Sequence, residues 1–344
     1  MNMDEKLHFA DFSKELLDWY AVSARELPWR AGPAARAQGF RPDPYRVWMA
    51  EIMLQQTTVP HATRYFLAFT ERWPTVEALA AADDADVMGA WAGLGYYARA
   101  RNLLKCARAV TELGAWPDTV DGLRALPGIG PYTAGAIAAL AFGRRAAAVD
   151  GNVDRVFARL LALKGAWKAE KIHLKSVVEA LVPEDRPAEF AEGLMDLGAT
   201  ICTPKSPNCL ICPVCSFCLA RAEGAPERYP IKPKKSPKPK RLGHVYVLVG
   251  PDRTVLTETR PDRGLLGGMM GLPTSSWSGE LGLPKFPSQG SWEEIGEVRH
   301  VFTHFGLTLK VWRARADNCA QTTPIKIALD HLPSVFAKAL KLAL

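Results

Sequence analysis

The 344-residue chain contains no run of about eighteen apolar residues, which excludes a transmembrane helix by length. Its opening, MNMDEKLHFADFSKELLDWY, carries acids and lacks the apolar core of an export signal. There is no internal repeat. There is also little basic excess over most of the sequence. The net charge of +7 arises almost entirely in residues 226–241, which hold seven Lys/Arg against one acid, whereas residues 1–225 hold 25 bases and 26 acids. Total charge is therefore weak evidence for a polyanionic partner, and any basic face must come from segregation in space. Cysteine is scarce outside one place: five of the seven fall between positions 202 and 218. Without an export signal a disulfide framework is not expected. These absences lead us to expect a cytoplasmic, membrane-free protein, monomeric, with no protein-partner motif. Its 48% hydrophobic content is that of an ordinary globular chain.

Within this composition, residues 8–225 read as helices with short loops. Apolar residues recur near helical spacing in LHFADFSKELLDWYAV, YRVWMAEIMLQQ, ATRYFLAFTERW, ADVMGAWAGL, ARNLLKCARAVTELG, TAGAIAALAFG, VDRVFARLLAL and KIHLKSVVEALV. Proline and glycine punctuate the joins. The stretch PERYPIKPKKSPKPKR (226–241) is rich in Pro and Lys and reads as a semi-extended tether, with a supplementary phosphate contact as the alternative. Residues 242–344 read as a small α+β domain. HVYVLVG and TVLTETR form strands joined by a PDR turn, EIGEVRHVF and LTLKVWRAR form a second pair, and SVFAKALKLAL is a closing helix.

The segment Leu126–Asp154 carries the clearest functional signal. LPGIGPYTAGAI reads as a helix, a tight turn at Gly128 and Gly130, and a second helix. That second helix begins with free N–H groups and the positive end of its dipole, an arrangement suited to a phosphate. A lone carboxylate, Asp150, follows in an otherwise apolar run. A backbone-gripping turn joined to one placed acid suggests an enzyme that holds a nucleic-acid strand and works on a sugar or base. Farther on, the spacing Cys202-x6-Cys209-x2-Cys212-x5-Cys218 puts four thiols on a short loop, with Cys215 inside the last gap. Four thiolates so placed can close on a tetrahedral zinc ion or on an iron–sulfur cube. Cys106 and Cys319 stand alone and read as small core residues.

Taken together, the LPGIG turn, the acid in VDGNVDRV and the cysteine spacing resemble the helix-hairpin-helix DNA glycosylases with a [4Fe–4S] cluster, the endonuclease III superfamily. The resemblance covers roughly residues 8–222. It implies a mainly α fold with two helical lobes around a DNA-facing cleft, and it implies a [4Fe–4S] cluster held by Cys202, Cys209, Cys212 and Cys218, with Cys215 a bystander. LPWR (27–30), PYRVWMAEIMLQQTTV (44–59) and GLGYYARARN (93–102) resemble the adenine-excising, MutY-type branch, whose substrate is duplex DNA with adenine opposite 8-oxoguanine or guanine. GLLGGMMGLP and HVFTHFGLTL resemble that branch's NUDIX-like domain, which helps to read the oxidised guanine. We therefore expect three parts: 1–225, the helical glycosylase domain; 226–241, a basic linker; and 242–344, a NUDIX-like recognition domain.

The chemistry implied is scission of an N-glycosidic bond. It needs a proton for the leaving base and stabilisation of an oxocarbenium-like sugar, which two carboxylates in different environments can supply. Glu51, in the apolar stretch VWMAEIML, suits the proton donor, because burial disfavours its charged form; the alternative is a Glu on an exposed helical stripe. The resemblance implies that it protonates adenine N7. Asp150 either caps a helix or steadies the sugar cation, and the two roles are compatible; Asn152 joins the catalytic group. Where strand-cleaving members carry a lysine, this chain has Tyr132, which cannot form a Schiff base, so a monofunctional enzyme leaving an abasic site is expected. Base flipping needs a filler for the gap. Gln55, Gln56 and Thr57 supply polar groups there, and Leu94 and Tyr96 an apolar and a stacking wedge; Tyr97 is read as core. The resemblance further implies Arg25, Trp29, Arg30 and Glu192 as adenine-pocket positions. It implies Phe302, Thr303 and His304 as contacts to the oxidised base, with threonine where the family often has serine. The acids of a working NUDIX site are missing: only Glu293-Glu294-Ile295-Gly296 echoes the tail of the motif. The competing readings are a pyrimidine or mismatch glycosylase of the same superfamily and a non-catalytic lesion binder.

Overall fold

Helix-capping signals account for most of the boundaries in the first part of the chain. In the computed structural model, which describes residues 9–231, 237–261, 264–315 and 322–344, it folds as α1 (Phe9–Ser23), α2 (Pro33–Ala37), α3 (Pro44–Met53), α4 (Val59–Arg72), α5 (Val76–Ala80), α6 (Asp84–Ala90), α7 (Ala98–Leu113), α8 (Val120–Arg124), α9 (Pro131–Leu140), α10 (Gly151–Leu160), α11 (Trp167–Leu181), α12 (Pro187–Thr200) and α13 (Leu219–Ala222). Asp43, Thr75, Asp83, Thr119 and Asp150 accept from backbone N–H groups at the starts of α3, α5, α6, α8 and α10. Proline stands in the first turn of α3, α4, α9 and α12, where its missing N–H costs nothing. Among the described residues, each periodic segment read from the sequence has its main part on a helix. The helix α12 is not among them, because it is buried nearly all round, its acids Glu189, Glu192 and Asp196 included, and so shows no polar stripe.

One hydrophobic core spans this unit from α1 to α12, with Phe12, Trp48, Phe66, Phe69, Trp91, Phe157 and Phe190 at its centre. Each such ring contributes roughly 1.5–3 kcal/mol through burial. The helix α9 is buried over Thr133–Leu140 and runs through this core, with only its N-terminal end outside. Cys106 is buried as expected; Cys319 lies outside the described residues.

The chain divides into two units, residues 1–234 and 235–344. The tether reading does not hold for the start of segment 226–241. Tyr229 is buried against Ala162 and Ala220, and its hydroxyl donates to Glu223 Oε2 at 2.6 Å. Lys240 and Arg241, at its end, already belong to a strand.

The second unit comprises β1 (Lys240–Gly250), β2 (Thr254–Leu256), β3 (Glu258–Thr259), β4 (Met270–Gly271), β5 (Glu293–Val301), β6 (Gly306–Arg315), β7 (Thr322–Pro324), α14 (Ile325–His331) and α15 (Ser334–Ala343). Its main sheet runs β5-β6-β1-β2-β7, with β1 and β6 parallel from Lys240↔Gly306 to Val249↔Arg315. Strand alternation decides the two faces. Val245, Val247, Leu307, Leu309 and Val311 pack on Val335, Phe336 and Leu340 of α15. His244, Tyr246 and Trp312 point the other way, to Phe286 and Trp292.

Candidate active site

Glu51 sits on the last turns of α3, flanked by Met49, Ile52 and Met53 in the core, and is 5% exposed. Tyr132, in the first turn of α9, donates from its hydroxyl to Glu51 Oε2 at 2.7 Å. Burial pushes the Glu51 carboxyl up from its usual range to about 7; Asp150 and Glu192 push the same way, while the Tyr132 hydrogen bond and Arg30 oppose them. The Tyr132 hydroxyl is itself held well above its ordinary value, by burial first and then by the charges of Glu51 and Asp150. Glu51, Tyr132 and Asp150 thus share one electrostatic neighbourhood, although three separate elements carry them.

Asp150 caps α10. Its Oδ1 accepts from the backbone N–H groups of Asn152 and Val153, both at 2.8 Å, and its Oδ2 accepts from Asn152 Nδ2 at 2.9 Å. The capping reading holds: the carboxylate is fixed in one orientation by three donors at a helix N-terminus. The helix α12 crosses close by. A Cβ at Gly198 would lie 2.6 Å from Asn152 Cβ, so only glycine lets the two helices meet there. Asn152 Oδ1 in turn accepts from Arg155 Nη2 at 2.9 Å, and Arg155 Nε donates to the Cys202 carbonyl at 2.8 Å. Arg159 Nη1 lies 3.2 Å from Cys202 Sγ. A hydrogen-bonded chain thus runs from Asp150 to the cysteine loop.

Behind Glu51 lies a buried ionic cluster. Glu192, 1% exposed, accepts from Tyr20 Oη at 2.8 Å and Arg36 Nη2 at 3.2 Å, and lies 3.7 Å from Arg30 Nε. Asp196, one turn farther along α12 and fully buried, accepts from Arg30 Nη1 at 2.8 Å and Arg25 Nε at 2.6 Å. Of the four adenine-pocket positions, Arg30 and Glu192 act electrostatically on Glu51. Arg25 is committed to Asp196, and Trp29 packs edge-on against Phe66 in the core. Asp196, Tyr20 and Arg36 were missed from sequence. Asp196, in GLMDLGA, carries the same signal as Glu51: an acid in an apolar helical run.

Three loops lie around the Glu51 helix. Gln56 and Tyr96 adopt left-handed conformations, with φ of 58° and 48°. Tyr96 is 53% exposed, but Leu94 is 6% exposed and packed in the core, so in this structure the expected pair of wedges is reduced to the tyrosine. Tyr97 packs partly buried against the core, as read. Gln55 Nε2 reaches Thr133 Oγ1 at 3.5 Å, and Thr57 Oγ1 donates to the Gln55 carbonyl at 3.3 Å. In the hairpin, Gly128 has φ +77°, and a Cβ there would meet Asn102 Cβ at 2.7 Å. Gly130 has ordinary φ and open space around its Cα, leaving room at the uncapped start of α9 for another backbone to approach.

Cys202, Cys209, Cys212 and Cys218 line one cavity with Arg159, and Cys215 borders the same cavity. Among the described residues no three such side chains converge on a point where one ion could be held. Burial raises the thiols of Cys209, Cys212 and Cys218. In the second unit, Glu293 and Glu294 lie on a strand and pair with Arg313 and Lys310, at 3.0 and 2.9 Å. Phe302 stacks on Trp277, while Thr303 and His304 are exposed at the β5–β6 hairpin.

Residues 49–180 match the HhH-GPD superfamily of base excision DNA repair proteins, and residues 244–342 match the NUDIX domain. A solved thermostable thymine-DNA glycosylase is similar in structure (TM-score 0.55, 29% identity) over 64% of this chain and 98% of that one. Fold and site define a helix-hairpin-helix DNA N-glycosylase with an appended NUDIX-like domain. The adenine DNA glycosylase of Homo sapiens is 34% identical over 88% of this chain, and that of Mus musculus 33% identical over 91%. The chain belongs to the adenine DNA glycosylase family; it spans 66% of the human relative's length and 72% of the mouse relative's.

Proposed function

We propose that this chain hydrolyses the N-glycosidic bond of adenine opposite 8-oxoguanine or guanine in duplex DNA and leaves an abasic site. The observation that carries the reading is the buried Glu51 carboxyl, bridged to Tyr132 and electrostatically coupled to Asp150. Tyr132 donates to Oε2, so the acid proton rides on Oε1, free to pass to a ring nitrogen of an extruded adenine. Asp150, held by three donors, sets a fixed negative charge against the sugar as positive charge develops on it. Microscopic reversibility then lets Glu51, once deprotonated, take a proton from the attacking water. No amine stands at position 132 to trap the sugar, which favours hydrolysis without strand cleavage.

The open space at Gly130 and the uncapped start of α9 suit a DNA phosphate. Tyr96 and Gln56 suit the gap left by flipping, and the exposed Thr303 and His304 suit the oxidised base. In the cysteine loop, Cys202, Cys209, Cys212 and Cys218 border one cavity and would hold a [4Fe–4S] cube, which would supply structural closure of the loop. Glu293 and Glu294, paired across strands, are poor magnesium ligands, so the NUDIX-like unit serves recognition.

The test is a labelled duplex carrying A opposite 8-oxoguanine, run beside C, T and U variants, with half of each sample treated with alkali. A nick in the adenine strand only, and only after alkali, is expected. Release of a pyrimidine, or a nick without alkali, would assign the chain to another branch of the superfamily.

A further inference from the structure

The first turn of α7 carries Arg99, whose guanidinium is spread across two loops. Its Nη1 donates to the carbonyls of Ile52, Met53 and Gln55, at 2.9, 3.2 and 2.6 Å. Its Nη2 donates to the carbonyls of Leu94 and Gly95, at 3.0 and 3.4 Å. The same group lies 5.3 Å from the centre of the Trp91 ring and 5.5 Å from that of Tyr96. The first set of carbonyls belongs to the C-terminal end of α3, where helix carbonyls lack partners and the dipole is negative. The second belongs to the loop that presents Tyr96. Gln56 and Tyr96, each directly beside a carbonyl held by this fork, are non-glycine residues in the left-handed region. Such conformations persist only where their surroundings over-determine them. One turn along α7, Asn102 abuts Gly128 of the hairpin. Three segments read as DNA-facing therefore meet on one helical turn.

We propose that Arg99 is a positioning residue that locks the Gln55–Thr57 and Leu94–Tyr96 loops to each other, so that the tyrosine wedge and the polar loop enter the duplex as one preformed unit. This rests on the reading of those loops as the lesion-sensing surface. A lysine keeps the charge but has one nitrogen and cannot fork across both loops. The planar fork, not the charge, is the working part.

The test compares wild type, R99K and R99G in full-length protein. The substrate is a duplex with A opposite 8-oxoguanine and 2-aminopurine beside the lesion, whose fluorescence rises on unstacking. R99K is expected to lose most of the fluorescence rise and to weaken binding to the mispaired duplex at least tenfold more than to the fully paired one. Methylguanidinium should restore the signal to R99G but not to R99K. Thermal melts identify a variant that does not fold; R99K then decides alone, since it keeps the charge and the stem. Normal unstacking and normal mispair preference in R99K would overturn the proposal, as would equal loss of binding to both duplexes. Failure of wild type to release adenine would instead overturn the assigned reaction.

Discussion

The Tyr132 hydroxyl lies 2.7 Å from Glu51 Oε2, across 81 positions of sequence. The contact fixes which oxygen of the acid is free, and it sets the two forces that act on the acid's proton. Burial favours the neutral carboxyl; the tyrosine O–H favours the carboxylate. Burial wins, and the group is pushed up to about 7.

Glu51→Gln keeps an acceptor for Tyr132 but has no proton to give. Excision under single turnover should fall by about 10²–10⁴ or more, with duplex binding retained. Stability should move the other way. The native acid holds its proton more tightly than the unfolded one, so between pH 4.5 and about 7 the native state binds more protons and stability falls as pH rises. Above that window the full penalty, about 3 kcal/mol, is present in wild type and absent in the variant. Urea melts at pH 8 should therefore show Glu51→Gln to be the more stable protein, and melts below pH 4.5 should show no gain. Equal stability at pH 8 would contradict a raised Glu51.

The same balance predicts the pH profile. If protonated Glu51 is the acid, the single-turnover rate declines above pH about 7 with unit slope. Tyr132→Phe removes the donor that favours the charged form, so the Glu51 proton is held still more tightly. The descending limb should then shift to higher pH even as the maximal rate drops. A limb that stays in place would mean another group titrates there.

Asp150 poses a different problem, since the observed cap and the proposed catalytic role fall on one side chain. Asparagine caps as well as aspartate, and an Oδ1 acceptor for the Asn152 and Val153 amides survives in Asp150→Asn. That variant keeps the cap but loses the Asn152 Nδ2 bond and turns an amide toward that donor, so it should melt about 1 kcal/mol below wild type, with Asp150→Ala lower still. Both should lose excision, because neither presents a negative charge to the sugar. If Asp150→Asn released adenine normally, capping alone would account for the residue.

The features legible in sequence are those decided locally. Glu51 in VWMAEIML announced its burial, and Asp150 before Gly151-Asn152 announced a helix start, because each depends only on neighbours within a turn. The periodic helices and the strands β1, β5 and β6 were legible for the same reason, whereas TVLTETR, read as one strand, splits into β2 and β3 of two different sheets. The ionic cluster was not: Arg25 and Arg30 meet Asp196 from 171 and 166 positions away, and nothing near any of the three specifies that partner. Arg99 was hidden in another way. Its partners are backbone carbonyls, which leave no mark in a sequence. Leu94 misled because an apolar residue beside two glycines reads equally as wedge or as core, and only packing decides between them.

The cysteine loop yields the last prediction. Five thiols border one cavity, and four of them have the superfamily's spacing. Serine at position 202, 209, 212 or 218 should each lower bound iron and bleach the broad visible absorption of the purified protein. Cys215→Ser should leave both unchanged, because Cys215 begins a short 3-10 turn between two of the proposed ligands and has no place in the x6/x2/x5 pattern. Metal analysis beside the spectrum separates the alternatives. Zinc in place of iron would remove the cube, and loss of iron in Cys215→Ser would make the fifth thiol a ligand. Cys202 should be the most sensitive position. Its sulfur lies against Arg159 and its carbonyl holds Arg155, so a disordered loop there also loosens Asn152 and, through it, the Asp150 carboxylate. Loss of iron from Cys202→Ser should consequently slow excision more than it weakens binding to undamaged duplex, an outcome that single-turnover rates and binding isotherms on the same preparation would check.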